Sequence, residues 1–205
     1  MIRKAELKDK TDISRLHYMA APNIFNYFFA STRNKALKIL DRLYETPDTI
    51  FSKDFFWVNE EHGKIKGAIS IFPGKDEKLF EKNIGKYGKE LVQMAGVFTA
   101  VKMIFRDSLN KFFPAINEDE LYIQALAVFP EYRGQRIAST LIRNAFDYAR
   151  QIKLTKVSLL VEITNEHAVM VYKKYGFYIT HTQEFKSKYR KHELYGIHKV
   201  VAEIS

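Results

Sequence analysis

The run Leu121 to Phe129 is apolar at almost every position, and Pro130 ends it. Val157 to Ile163 repeats the pattern. A strand without polar alternation is buried on both faces, which requires packed layers above and below its sheet. Between the two runs, Ile137, Leu141, Ile142, Ala145 and Ala149 recur at helical spacing, in a helix expected to follow Pro130 and to run through Ile152. Strand, helix and strand in that order predict a parallel pair joined by a crossover helix. The C-terminal half is therefore α/β.

The rest of the chain is read against that unit. Ile2 to Leu7 predicts a short strand, and Asp9 or Thr11 can cap a helix carrying Ile13, Leu16 and Ala20 on one face. Pro22 ends or kinks it, and Phe25, Tyr27, Phe28 and Phe29 crowd the stretch Asn23 to Ala30. A second helix is predicted over Thr32 to Tyr44, with Ala36, Leu37, Leu40 and Leu43 at helical spacing. Asp54 to Asn59 and Ile65 to Phe72 read as a β-hairpin around Glu60 to Lys64. From about 75 to 120 the pattern is helical, through Leu79 to Ile84 and then Leu91, Met94, Val97, Val101, Ile104 and Phe105. A helix from Asn165 to Tyr175 is closed by Gly176, and Phe177 to Glu184 and Leu194 to Ala202 are the last strands. The expected fold class is α/β: a mixed, largely antiparallel sheet of about six or seven strands with helices on both faces. The expected organisation is one domain over 1–205, with a helical insertion at about 75–120.

Composition removes several kinds of chemistry. With no cysteine there is no disulfide framework, no thiolate nucleophile and no Cys-ligated metal site. The six histidines show no metal-ligand spacing, and there is no Walker-type loop. The N-terminus lacks a signal-peptide core, and Leu91 to Phe105 is too short to span a bilayer, so a cytoplasmic protein without a membrane partner is expected. Lys and Arg outnumber Asp and Glu by 33 to 24, a formal charge of +9. Such a balance suits a nucleic acid, an anionic surface or a polyphosphorylated small molecule. The cluster Lys186, Lys188, Arg190 and Lys191 comes with no nucleic-acid motif and reads as a solvated loop, so no nucleic-acid partner is expected.

The block Ala127-Val128-Phe129-Pro130-Glu131-Tyr132-Arg133-Gly134-Gln135-Arg136-Ile137-Ala138-Ser139 runs from a buried strand through a short loop into a helix. That arrangement aims free backbone N–H groups and the positive end of a helix dipole at one point, which suits a phosphate or pyrophosphate. Arg133, Arg136 and the Ser139 hydroxyl add charge and donors. About thirty residues on, Asn165-Glu166-His167-Ala168 opens a helix that Tyr172, Tyr175 and Gly176-Phe177 complete. Ala168, Tyr172 and Tyr175 fall near one face of it. On its own, Tyr172 reads as a core aromatic with a hydrogen-bonded hydroxyl.

Together the two segments resemble motifs of the GCN5-related N-acetyltransferase (GNAT) superfamily. That family has a phosphate loop Arg/Gln-x-x-Gly-x-Gly/Ala and, later, a stretch Asn-x-x-Ala-x-x-x-Tyr-x-x-x-Gly-Phe. Asn165, Ala168, Tyr172, Gly176 and Phe177 match the second, and Arg133 and Ala138 match the ends of the first. The resemblance covers 121–177. Its layout, with helices between the third and fourth strands, is also similar to the puromycin acetyltransferase branch. The central glycine of the loop is replaced by Arg136, at a position expected to be helical and so tolerant of arginine.

The resemblance implies an acetyl-CoA-dependent N-acetyltransferase acting on a primary amine of a small molecule or peptide. Main-chain groups of Leu126, Ala127 and Val128 would pair with the pantetheine arm. Arg133, Gly134, Gln135, Arg136, Ile137, Ala138 and Ser139 would cradle the pyrophosphate. Asn165 would contact the cofactor arm, Lys174 would reach an outer phosphate, and Tyr172 would protonate the departing thiolate. The fourth and fifth strands would splay apart, and a homodimer would be compatible with the pattern. No base stands out: Gln124 and Leu160 occupy places where relatives have carboxylates, leaving Glu162, Glu120 and Asp119 or ordered water. The missing carboxylate at Gln124 and the Arg136 substitution favour an alternative, an acyl-CoA-binding module with weak or no catalysis.

Overall fold

Among the residues that the computed structural model describes, seven strands build one sheet in the order β1-β2-β3-β4-β5-β7-β6. The structure describes residues 1–29, 32–77, 92 and 95–204. The strands are β1 Ile2–Lys4, β2 Phe56–Glu61, β3 Lys64–Pro73, β4 Glu120–Val128, β5 Lys156–Glu162, β6 Tyr178–Glu184 and β7 Gly196–Glu203. Every neighbouring pair is antiparallel except β4 with β5. The helices are α1 Lys10–Ala20, α2 Pro22–Phe28, α3 Arg33–Glu45, α4 Val97–Arg106, α5 Ile137–Gln151 and α6 Glu166–Lys173. The mixed, mainly antiparallel α/β sheet is the one expected. The β2–β3 hairpin turns through His62 and Gly63, both at positive φ, which matches the right-handed twist of its strands.

Alternation along the strands sends side chains to two apolar layers. On one face Ile69, Ile71, Leu121, Ile123, Val157, Leu159 and Val161 pack with the predicted stripe of α5, Ile137 to Ala149. Ala168, Tyr172 and Tyr175 of the α6 segment cover the same layer. On the other face Phe56, Val58, Ile65 and Ala68 meet Ile13 and Leu16 of α1 and Tyr44 of α3. A third cluster joins Tyr27, Leu109, Phe185, Tyr189, Leu194 and Ile197 beside Leu160 of β5.

Several boundaries differ from the sequence reading. β1 stops at Lys4, because Glu6 and Asp9 close a 3-10 turn over Leu7–Asp9. Asp9 stands at the N-cap position of α1 without capping it. Its carboxylate turns back to Arg3, at 2.6 and 2.9 Å, and to the Glu6 N–H. The short loop expected between β4 and α5 holds Arg133 and Gly134, but it opens with a 3-10 turn over Pro130–Tyr132, and α5 begins at Ile137. Phe185 to Glu193 is not a plain loop, since Ser187–His192 is a 3-10 turn with Tyr189 buried, while its lysines and Arg190 stay exposed. In the insertion, Leu79 to Ile84, Leu91 and Met94 lie outside the described residues. Val97, Val101 and Phe105 of α4 face outward, and Ala100 is the buried side instead.

Candidate functional site

The site begins where two strands part. β4 and β5 are in register over Glu120–Ile123 and Lys156–Leu159 only. Beyond that point β4 stays with β3 and β5 stays with β7. The cause is local: Ser70 pairs with Ala125 and Ile71 with Ile123, so Gln124 is an extra residue in β4. A bulge of this kind bends the strand and increases its twist. Gln124 Oε1 accepts from Ser70 Oγ at 2.9 Å, which anchors the bulge. From Gln124 to Val128 the β5-facing edge of β4 has no strand partner among the described residues. Leu126, Ala127 and Val128 therefore present main-chain donors and acceptors to the gap, ready to pair with an extended amide-bearing ligand.

The loop after β4 adds an anion cradle. Gly134 and Arg136 both have positive φ, at 78° and 61°. Arg136 is thus not helical, as the sequence reading had it, but the left-handed N-cap of α5. A Cβ in that conformation costs roughly 1–2 kcal/mol, which explains why a glycine suits the position. Thr140 is the residue whose N–H closes onto Arg136 O, at 3.0 Å, so the N–H groups of Ile137, Ala138 and Ser139 precede the helical ladder. The Ile137 side chain is buried beneath them, and Arg133, Gln135 and Arg136 are exposed around them. Arg133 Nε reaches back to Val128 O at 3.4 Å. An N-terminus built this way fits a pyrophosphate.

α6 lies against this loop. Tyr175 donates its hydroxyl proton to Ser139 Oγ, tying the end of α6 to the first turn of α5. The sequence reading placed Tyr175 on the right face but gave it no task; its offset of three residues from Tyr172 was the available signal. Tyr172 packs edge-on to Phe177 at 5.6 Å, and its hydroxyl makes no hydrogen bond among the described residues. Burial holds that hydroxyl's pKa up, at about 12, so it is a proton donor at neutral pH. Asn165 caps α6, with Oδ1 accepting from Ala168 N at 3.2 Å, and is otherwise exposed. Lys174 is exposed at the end of α6.

The three acids separate by environment. Asp119 is paired with Lys156 at 2.9 Å, and that hydrogen bond lowers its pKa. Glu120 is buried in a network with Lys199 at 2.9 Å and Ser158 at 2.7 Å. Both are structural. Glu162, at the end of β5, is half-buried; burial and then Glu193 hold its carboxyl above the ordinary range.

The family model for the acetyltransferase (GNAT) family matches residues 22–177. The chain belongs to that family. Over 58 residues it is 38% identical to a Bacillus subtilis (strain 168) protein named as a ribosomal protein bS18-alanine N-acetyltransferase. The match takes in 28% of this chain and 38% of that relative, so it spans well under half the relative's length. Among solved structures, an N-acetyltransferase from Staphylococcus aureus Mu50 superposes with a TM-score of 0.71 at 23% identity, over 98% of this chain and 100% of that one. The PaiA N-acetyltransferase of Thermoplasma acidophilum in complex with coenzyme A superposes with a TM-score of 0.53 at 12% identity, over 99% and 98%. These two likenesses establish the fold. The edge left open by the parted strands leads toward the cradle, and Tyr175 ties the end of α6 to the first turn of α5. Among the described residues no helix is long and apolar enough to cross a membrane.

Proposed function

We propose that this GNAT protein is an acetyl-CoA-dependent N-acetyltransferase that acetylates a primary amine of a small molecule or peptide. The observation that carries the reading is the unpaired edge of β4, Gln124 to Val128, ending directly in the left-handed cradle at Gly134 and Arg136. An extended amide-rich arm with a pyrophosphate at one end fits that sequence of partners. When bound, acetyl-CoA supplies an acetyl group activated as a thioester.

The chain's own residues then have distinct tasks. N–H groups of Leu126 to Val128 hold the arm and polarise the thioester carbonyl. The N–H groups from Gly134 to Ser139, with Arg133 and Arg136, neutralise the pyrophosphate. Asn165 contributes its free amide group to the arm, and Lys174 reaches an outer phosphate. Tyr172, whose hydroxyl is protonated at neutral pH, gives its proton to the departing sulfur. Glu162 takes the ammonium proton from the acceptor, directly or through water, and its raised pKa makes it the better base. The unit is the whole stretch 1–205, the insertion included, working in the cytoplasm without nucleic-acid or membrane partners and compatible with a homodimer.

The alternative, an acyl-CoA-binding module, is favoured by one feature: the polar residue at the bulge, Gln124, is occupied by Ser70. Replacing Tyr172 with Phe decides between the two. A rate loss of about 100-fold or more, with acetyl-CoA affinity unchanged by calorimetry, supports catalysis. Equal rates in both proteins would remove Tyr172 from the chemistry. Arg133→Ala should weaken acetyl-CoA binding about tenfold, and no binding by either protein would end the cofactor reading.

A further inference from the structure

A cavity of about 490 Å³ opens between α2, the start of α3, α4 and the 3-10 turn before β7. Its lining is cationic: Lys35, Arg106 and Lys191, with the imidazole of His192, against the carboxylate of Glu193. Arg106 is the fixed element. It is half-buried, its Nη1 donates to Tyr27 O at 2.6 Å, and its guanidinium lies 4.9 Å from the Tyr27 ring. Backbone and ring orient it, and among the described residues no carboxylate neutralises it. His192 meets the same tyrosine ring edge-on at 5.1 Å. The cavity is also placed for the reaction. Tyr27, which holds Arg106, shares an apolar cluster with Leu160 of β5, beyond the parting of β4 and β5, and Glu162 at the end of that strand pairs with Ile197 of β7, four residues after Glu193 on the cavity wall. None of its lining residues belongs to the cradle at Arg133 to Ser139.

We infer that this cavity receives the acceptor and selects amines that carry an anionic group, carboxylate or phosphate, with Arg106 as the specificity-determining residue and Lys191 as its helper. The inference rests on the acetyltransferase reading for the word acceptor, but the anion site stands on the lining alone. An anion there gains charge-assisted hydrogen bonds from a pre-oriented guanidinium. A polyamine would set like charges against it.

The test has two independent arms. The first is binding of glutarate, a dicarboxylate with no amine, by calorimetry at moderate salt. The wild-type chain should bind it, and Arg106→Gln and the exposed Lys191→Gln should each weaken it several-fold. No binding by the wild type, or displacement of glutarate by coenzyme A, overturns the inference. The Lys191 variant keeps the test decisive if Arg106→Gln, which loses a backbone anchor, fails to fold. The second arm compares acetylation of lysine with cadaverine and of O-phosphoethanolamine with ethanolamine. The anionic member of at least one pair should have the lower KM, and Arg106→Gln should raise that KM about tenfold more than its partner's. The two pairs distinguish carboxylate from phosphate. Preference for cadaverine and ethanolamine refutes the inference while leaving acetyl transfer intact. Glutarate binding with no transfer to any amine refutes the transferase reading instead.

Discussion

His17 should make this protein acid-sensitive above the range where its carboxylates titrate. The side chain is 4% exposed, on α1, between the rings of Phe25, Phe56 and Phe51 at 4.9, 5.1 and 5.7 Å. Its Nε2 has no hydrogen-bond partner among the described residues. Burial alone lowers its pKa from 6.5 to about 3. The folded value lies below the unfolded one, so between the two the unfolded chain holds a proton that the folded chain does not. Stability is therefore complete above pH 6.5 and falls as the pH drops toward 3. At pH 5 the gap to the unfolded pKa is about 1.5 units, worth about 2 kcal/mol at about 1.4 kcal/mol per unit.

Urea titrations at pH 7 and pH 5 measure this directly. With a slope near 2 kcal/mol/M, the midpoint should fall by about 1 M. The carboxylates of Asp9, Asp54 and Asp119 have lowered pKa values, so their contributions stay in place down to about pH 5 and fade below it. His192, also lowered, acts in the same direction and is separated by the variant. His17→Met keeps an apolar side chain in the site without an unpartnered nitrogen. Its midpoint should be at least as high at pH 7 and should lose most of the drop to pH 5. A wild-type midpoint that does not move between the two pH values, or an equal drop in the variant, would refute the reasoning.

Arg136→Gly should stabilise the chain by about 0.5 kcal/mol in thermal unfolding, since relief of the left-handed Cβ outweighs the added freedom of the unfolded chain. Glu120→Gln should cost about 3 kcal/mol by leaving the Lys199 ammonium buried without a counter-charge, with neutral acceptors such as Ala115 O at 2.7 Å, and adding Lys199→Met should recover most of it. Ser139→Ala removes the acceptor of Tyr175 and should cost about 1 kcal/mol by urea unfolding.

How much of this was legible depends on the range of the interaction. The α5 stripe from Ile137 to Ala149 and the Asn165–Phe177 motif are local patterns, and both appear where periodicity puts them. The conformation of Arg136 was misread because a residue one step before a helix has the sequence context of a helical one. Only the left-handed Gly134 before it hints otherwise. Asp9 was misread as a cap because its real partner, Arg3, lies in the preceding strand and competes with the helix for the carboxylate. The cationic cavity was invisible: Lys35, Arg106 and Lys191 come from three separated stretches, and only the packing around Tyr27 assembles them. Which of Glu162, Glu120 and Asp119 is paired was not legible either, because Lys199, Ser158 and Lys156, the partners of the last two, lie in other strands.

The same comparison explains how a sheet stays open at one end. Parting β4 from β5 forfeits ladder hydrogen bonds from Gln124 onward, so the remaining parallel contact, Glu120–Ile123 with Lys156–Leu159, must hold. At its first residues Glu120 of β4 accepts from Ser158 of β5 and is paired with Lys199 of β7, across three strands. Lys199 also reaches Ala115 O, and Asn117 donates to Glu120 at 2.5 Å, so the segment entering β4 is fixed too. A buried ion pair of this kind adds little net stability over an apolar packing but is costly to break, which makes it a marker of register rather than of strength. The charge network therefore acts as the closed end of a hinge whose open end is the bulge at Gln124. If that is so, Glu120→Gln should loosen more than stability: hydrogen exchange should quicken first at Tyr122, Ile123, Ser158 and Leu159, the shared rungs, while the β2–β3 hairpin keeps its protection. Uniform loss of protection across the sheet would reduce the network to an ordinary core contact.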